Sequence, residues 1–191
     1  MKLKDEEKEN KIREVTLDLV SEKGIAGVKM ATIAKMAGLS PSTLYVYYKS
    51  KEDLLKAVFR FVMRLFFQMD LDKEQRDTPY KARVEHLYKR ILGFKQKNVR
   101  ESHFMKQFAT SPYYDQQLSA EMKDLSEGFI GLIQLGRDQL ILKDQVDINV
   151  LVAVIDGMTE KLIAYQAKGK IELSESLINE SFQVVWDGIK Q

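Results

Sequence analysis

Between Lys23 and Lys51 the chain carries five lysines, Lys23, Lys29, Lys35, Lys49 and Lys51, and no acid, although the whole sequence is nearly balanced at 30 basic against 28 acidic residues. Hydroxyl donors are interleaved with them: Thr32, Ser42, Thr43, Tyr45 and Tyr47. Ammonium and hydroxyl donors held in one short stretch are the chemistry that meets a phosphodiester backbone. Cations displace condensed counterions, and hydroxyls donate to phosphate oxygens or base edges. A solvated helical hairpin kept soluble by its lysines would carry the same charge, so charge alone leaves both readings open. Tyr45 and Tyr47 stand two apart, which on a helix turns them about 200° from each other, so at least one faces outward.

The elements that must position these groups are written into residues 29 to 53, KMATIAKMAGLSPSTLYVYYKSKED. Met30, Ile33, Ala34, Met36 and Ala37 have helical spacing, and Gly38 supplies a stop that tolerates positive φ. Leu39 plugs the turn. Ser40 is an N-cap and Pro41 suits the first helical position, so a second helix should run through Tyr47. Ser50 followed by Asp53 predicts a capped third start, with acid at the positive end of the helix dipole. Two short helices joined by a tight turn read as a helix-turn-helix, whose second helix enters a major groove.

The run IAKMAGLSPSTLYVYYKSKEDLL resembles the DNA-binding signature of the TetR family of bacterial transcriptional regulators: an Ile-Ala, an Ala-Gly-Leu-Ser, a Thr-Leu-Tyr, a tyrosine pair and a Ser-Lys-Glu-x-Leu recur in this order. The detailed match covers roughly residues 10 to 56. The resemblance implies an all-α chain, with an N-terminal three-helix helix-turn-helix DNA-binding domain (1–53) and a larger C-terminal helical ligand-binding and dimerisation domain (54–191). It implies DNA contacts from Tyr45, Tyr47 and Lys51, and the residues expected to meet DNA are in all Lys29, Thr32, Pro41, Ser42, Thr43, Tyr45, Tyr47, Lys49 and Lys51. Two departures bear on specificity. Lys29 and Met30 stand where many members place a capping Thr, and Ala31, Pro41 and Ser42 replace the long polar or glycine residues often found there. None of these is a bidentate base reader, so direct readout is expected to be sparse and groove shape to carry part of the specificity.

Composition sets the outer bounds. A chain of 191 residues, 45% hydrophobic and 30% charged with three prolines, predicts one or two helix-rich domains. Cysteine is absent, which removes disulfides, thiolate metal sites and cysteine nucleophiles. The start, MKLKDEEKENK, has no apolar signal region, and no apolar run approaches the roughly 18 residues of a membrane span. The expectation is a cytoplasmic protein without membrane contact, metal or cofactor. No glycine-rich phosphate loop, nucleophile elbow or paired-carboxylate pattern points to an enzyme.

Residues 5 to 23 predict a first helix ended by Gly24. The resemblance implies that basic residues at its start, here Lys2, Lys4, Lys8 and Lys11, can reach a DNA backbone, but Asp5, Glu6, Glu7 and Glu9 are interleaved with them and argue against an arm dedicated to phosphate. The capped third helix is expected to run through Met69, followed by a polar loop over 70–79. Further helices are expected over 80–98, 102–110, 115–141, 147–168 and 174–189, with Asp147 and Ser174 as caps.

Large apolar side chains crowd the middle of the chain, and most belong in a core. The family resemblance implies a small-molecule effector among them. The candidates for its site are Phe59, Met63, Phe66, Phe104, Phe108 and Phe129, with His86 and Gln107 as polar groups. The last two helices bear apolar residues on more than one face, so a homodimer is expected through Leu151, Ile155, Met158, Leu162, Phe182, Val185, Trp186 and Ile189. The function expected is a repressor that binds a palindromic double-stranded operator as a homodimer and is released by a largely apolar effector. The alternative is a non-specific, architectural DNA-binding protein without an effector.

Overall fold

The computed structural model describes residues 2–67 and 78–191, with side chains from Asp5 onward. Among the described residues there are nine helices: α1 (Lys2–Gly27), α2 (Met30–Ala37), α3 (Pro41–Tyr47), α4 (Lys51–Phe67), α5 (Tyr80–Lys97), α6 (Val99–Ala109), α7 (Gln116–Asp138), α8 (Ile148–Ala167) and α9 (Glu175–Ile189). The end expected for α4 at Met69, the polar stretch to residue 77, and the Lys2 and Lys4 side chains lie outside the described residues. The helices form two compact units: α1 to α4 with α6 and the part of α7 up to Leu125, and α5 with the remainder of α7, α8 and α9.

In the first unit each helix end is settled by groups close by in sequence. Gly24 has φ 68° and ψ 168°, which breaks the helical path of α1 where the sequence placed its stop. Gly38 is left-handed at φ 71°, and its N–H bonds back to the Ala34 and Lys35 carbonyls, closing α2. The Ser40 hydroxyl accepts the Thr43 N–H at 3.1 Å ahead of Pro41. Ser50 Oγ accepts the Asp53 N–H at 3.0 Å, and the Asp53 carboxylate accepts the Lys49 N–H at 3.0 Å, a reciprocal cap at the start of α4.

These ends aim Ile12, Leu19, Ile33, Ala34, Leu44, Leu54, Leu55 and Val58 into one core that continues to Phe59, Phe104 and Phe108. Phe59 stacks on Phe108 with centroids 4.5 Å apart, and Phe104 follows at 5.7 Å. Burying each such side chain contributes about 2 kcal/mol, so a seven-residue helix such as α3 holds its shape through packing rather than propensity. Ion pairs fasten α6 and α7 on the outside. Arg100 bonds Glu14 and Asp18 of α1 at 2.6 Å each, and Arg60 of α4 pairs with Glu121 at 2.7 Å.

The second unit is built around α5. Tyr88 is fully buried, shares a 2.8 Å hydrogen bond with Ser181 of α9 and meets the Phe182 ring at 5.6 Å. Lys95 is 5% exposed. Its ammonium donates to Asp156 Oδ1 at 2.6 Å, to the Asp156 carbonyl at 3.1 Å and to Thr159 Oγ1 at 2.9 Å, three acceptors for three protons. Three helices depart from their expected bounds by three residues or more. α1 starts at Lys2 rather than 5 and resumes after Gly24 to end at Gly27. α6 already begins at Val99, and α7 ends at Asp138 instead of running to 141. Leu140 turns left-handed at φ 56°, and the chain then makes a bridge between Leu142 and Lys190. That bridge joins segments far apart in sequence, so no local pattern announces it.

Candidate nucleic-acid interface

Leu44 is completely buried, which fixes the rotation of α3. The positions about 200° away from it, Ser42 and Val46, must then face solvent. Pro41, Ser42, Tyr45 and Val46 are exposed, Tyr45 at 51% and Val46 at 82%. The outward face of α3 therefore offers a hydroxyl, a phenol and two methyl groups, a surface suited to sugar, phosphate and thymine-methyl contacts. Val46 was not among the residues expected to act. The signal that finds it is its spacing of four from Ser42, opposite a buried leucine.

The other expected contacts divide by what already occupies them. Lys29 and Lys49 are exposed. Thr32 is half-buried in the first turn of α2, where its N–H bonds the Lys29 carbonyl at 3.0 Å. Ser40 lies 2.8 Å from both the Ser42 and the Thr43 hydroxyls, so these three form one hydroxyl cluster at the start of α3. The Tyr47 hydroxyl donates to Asp5 Oδ1 of α1 at 2.9 Å, and this hydrogen bond, with burial and the nearby acids, holds the phenol above its ordinary pKa. Lys51 Nζ reaches the Ala26 carbonyl at 3.3 Å, and partial burial lowers its pKa. Lys35 and Met36 are exposed on α2.

The expected effector residues do not form a single group. Phe59, Phe104 and Phe108 are stacked inside the first unit, with Met63 packed against that core. Phe66 is half-buried and meets Phe67 edge-on at 5.0 Å. Gln107 points at α1: its Oε1 accepts the Ile25 N–H at 3.1 Å, and its amide nitrogen bonds the Val20 carbonyl at 3.4 Å and His103 Nε2 at 3.0 Å. Phe129, buried, and His86, exposed, belong to the second unit.

The residues expected at the twofold interface lie mostly inside the single chain. Leu151, Ile155, Leu162, Phe182, Val185, Trp186 and Ile189 are all at 9% exposure or less within the single chain. They pack into the core of the second unit, which leaves little of their surface for a partner. Met158 is half-buried. The apolar residues that do face outward are Val150 and Val154 on α8 and Val184 on α9, at 51%, 38% and 63% exposure. Periodicity shows two apolar faces without ranking them, and the packing of α5 against α8 and α9 covers the face that carries Leu151, Ile155 and Leu162.

Among the described residues no group of three His, Cys, Asp or Glu is placed to hold a metal ion, and no helix is long and apolar enough to cross a membrane.

Comparison with known proteins agrees with this geometry. The model of bacterial regulatory proteins of the tetR family matches residues 12–58, and that of the tetracyclin repressor-like C-terminal domain matches residues 55–191. A TetR family transcription regulator from Marinobacter aquaeolei has the same fold over 100% of both chains, with a TM-score of 0.91 and 23% identity. The regulator FadR of Bacillus subtilis, solved in complex with stearoyl-CoA, aligns over 94% of this chain and 98% of its own at a TM-score of 0.69 and 17% identity. In sequence, the HTH-type transcriptional regulator PksA of Bacillus subtilis is 26% identical over 160 residues, 81% of this chain and 78% of the relative. Another match, to an HTH-type regulator of Haemophilus influenzae, spans 51% of that relative. The two family models meet at the start of α4 and jointly cover the chain from Ile12 to its last residue, and the chain belongs to the TetR family of bacterial transcriptional regulators, whose helix-turn-helix binds DNA.

Proposed function

We propose that the protein is a repressor that binds an inverted-repeat operator as a homodimer and leaves it when a small, largely apolar effector binds. The observation that carries the reading is the outward face of α3. A helix held by one buried leucine and a serine cap presents Ser42, Tyr45 and Val46 to solvent, in a stretch of chain that also carries the exposed cations Lys29, Lys35 and Lys49. Two such helices spaced by a twofold axis match two half-sites one duplex turn apart. The outward valines of α8 and α9 supply the surface on which that axis is built.

The effector is assigned to an apolar class. The stacked aromatic rings of Phe59, Phe104 and Phe108 support this, as does the fold shared with a regulator solved with stearoyl-CoA. The mechanism is a population shift. An effector that favours one position of α4, whose first turn is capped by Ser50 and Asp53 at the end of the DNA-binding helices, changes the presentation of α3. Couplings of this kind amount to about 1–3 kcal/mol.

The test is selection of bound fragments from genomic DNA by the purified protein at near-physiological salt. Recovery of a short inverted repeat is expected. Recovery of fragments with no shared sequence would replace this reading by the architectural one, which the shortage of long base-reading side chains on α3 favours. Sedimentation at micromolar concentration checks the dimer: a monomer there removes the twofold assignment, and a dimer that survives Val154→Asp removes the outward valines as its surface.

A further inference from the structure

Tyr47 has one proton to donate, and it is already given away. The phenol belongs to α3, is half-buried and lies four residues after Thr43. Its hydroxyl donates to Asp5 Oδ1 at 2.9 Å, across 42 residues of sequence. A carboxylate and a phosphodiester both offer only acceptor oxygens, so the two compete for that proton and cannot share it. Asp5 also brings a negative charge onto the recognition helix. Glu9, one turn further along α1, adds to the negative field felt at both Tyr47 and Tyr48.

We propose that Asp5 is an intramolecular competitor for the DNA backbone: its carboxylate occupies the Tyr47 donor and keeps the affinity of α3 for phosphate below what the rest of its surface would give. This rests on α3 being the DNA-facing helix. On DNA, Tyr47 must leave Asp5 to reach a phosphate, losing a charge-assisted hydrogen bond. That loss weakens binding. Asp5 is thus a tuning residue, and its removal must raise affinity. A clasp that merely anchors α1 to α3 predicts the opposite, since releasing the recognition helix can only disorder it.

The experiment titrates a fluorescent duplex of mixed sequence, at low salt, with the wild-type chain, Asp5→Asn, Tyr47→Phe and the double variant, and records Tm for each. A mixed sequence suffices because phosphate contacts carry no base information. Asp5→Asn keeps an acceptor for the phenol but removes the charge, and it should tighten binding about threefold or more. In the Tyr47→Phe background the same change should gain less, because no hydroxyl remains to compete for. Unchanged or weaker binding by Asp5→Asn overturns the proposal, with a parallel fall in Tm identifying a structural anchor. An equal gain in both backgrounds also overturns it, leaving a bare charge effect without competition for Tyr47. Absence of binding by the wild-type chain would instead overturn the DNA-facing assignment of α3, and this proposal with it.

Discussion

Gln107 Oε1 accepts the Ile25 N–H at 3.1 Å, immediately after the positive-φ Gly24 breaks α1. The break deprives Ile25 of its helical acceptor, and a side chain 82 residues away supplies one. The same amide donates to the Val20 carbonyl and contacts His103. α6 therefore closes the end of α1 on which the helix-turn-helix rests.

Gln107→Leu keeps the volume and removes both hydrogen bonds to α1. With a partly buried N–H orphaned, the cost should be about 1–3 kcal/mol in denaturant unfolding. Stability equal to the wild type would show that water replaces the amide.

Val46 is expected to contribute to DNA binding while contributing nothing to folding, because it is 82% exposed. Val46→Ala should weaken binding to a selected operator by about 1 kcal/mol through lost methyl contact, with Tm unchanged. Val46→Glu, which places an anion in the groove, should abolish binding. Operator affinity unaffected by both changes would mean that α3 presents another face to DNA.

Leu140 holds φ 56° while 64% exposed, so it bears the left-handed backbone cost without a burial reward. Leu140→Gly should stabilise the protein by about 1 kcal/mol, a rise in thermal unfolding temperature from a substitution that deletes an apolar side chain. A loss of stability would show that packing of the Leu140 side chain outweighs its strain.

Burial pushes the Tyr80 phenol up to about 12, and its hydroxyl donates to the Leu132 carbonyl at 2.9 Å. The unfolded chain releases this proton near the ordinary value of 10, whereas the folded chain retains it. The folded state therefore binds more protons between pH 10 and 12, and stability falls as pH rises through that window. With partial solvent contact allowed for, the loss should be about 1–2 kcal/mol. Unfolding curves for Tyr80→Phe should show a shallower alkaline decline, and an identical decline would place the titration elsewhere. The same phenol explains Gly136, where an added Cβ would lie 2.1 Å from the Tyr80 hydroxyl.

The helix-turn-helix was legible because its instructions are local. Gly38, Ser40, Pro41 and the Ser50–Asp53 pair each act on partners within four residues, so their effect is visible in the order of residue types. The caps at Asp147 and Ser174 were legible for the same reason. The aromatic residues of the middle helices were recognised as buried, but their order along the chain did not tell which unit each would join.

The sequence by itself determined the helical class, the helix ends and the basic surface of the DNA-binding element, since capping, propensity and charge act within a turn or two. Tertiary structure decided which apolar face of α8 would be inside, where α7 stops, and what holds Gln107, Lys51 and Tyr47. Each of those outcomes depends on a partner between about 25 and 82 residues away or on the packing of separate helices. A side chain's type specifies which bonds it can make, but only the packed chain brings one partner close enough to make them.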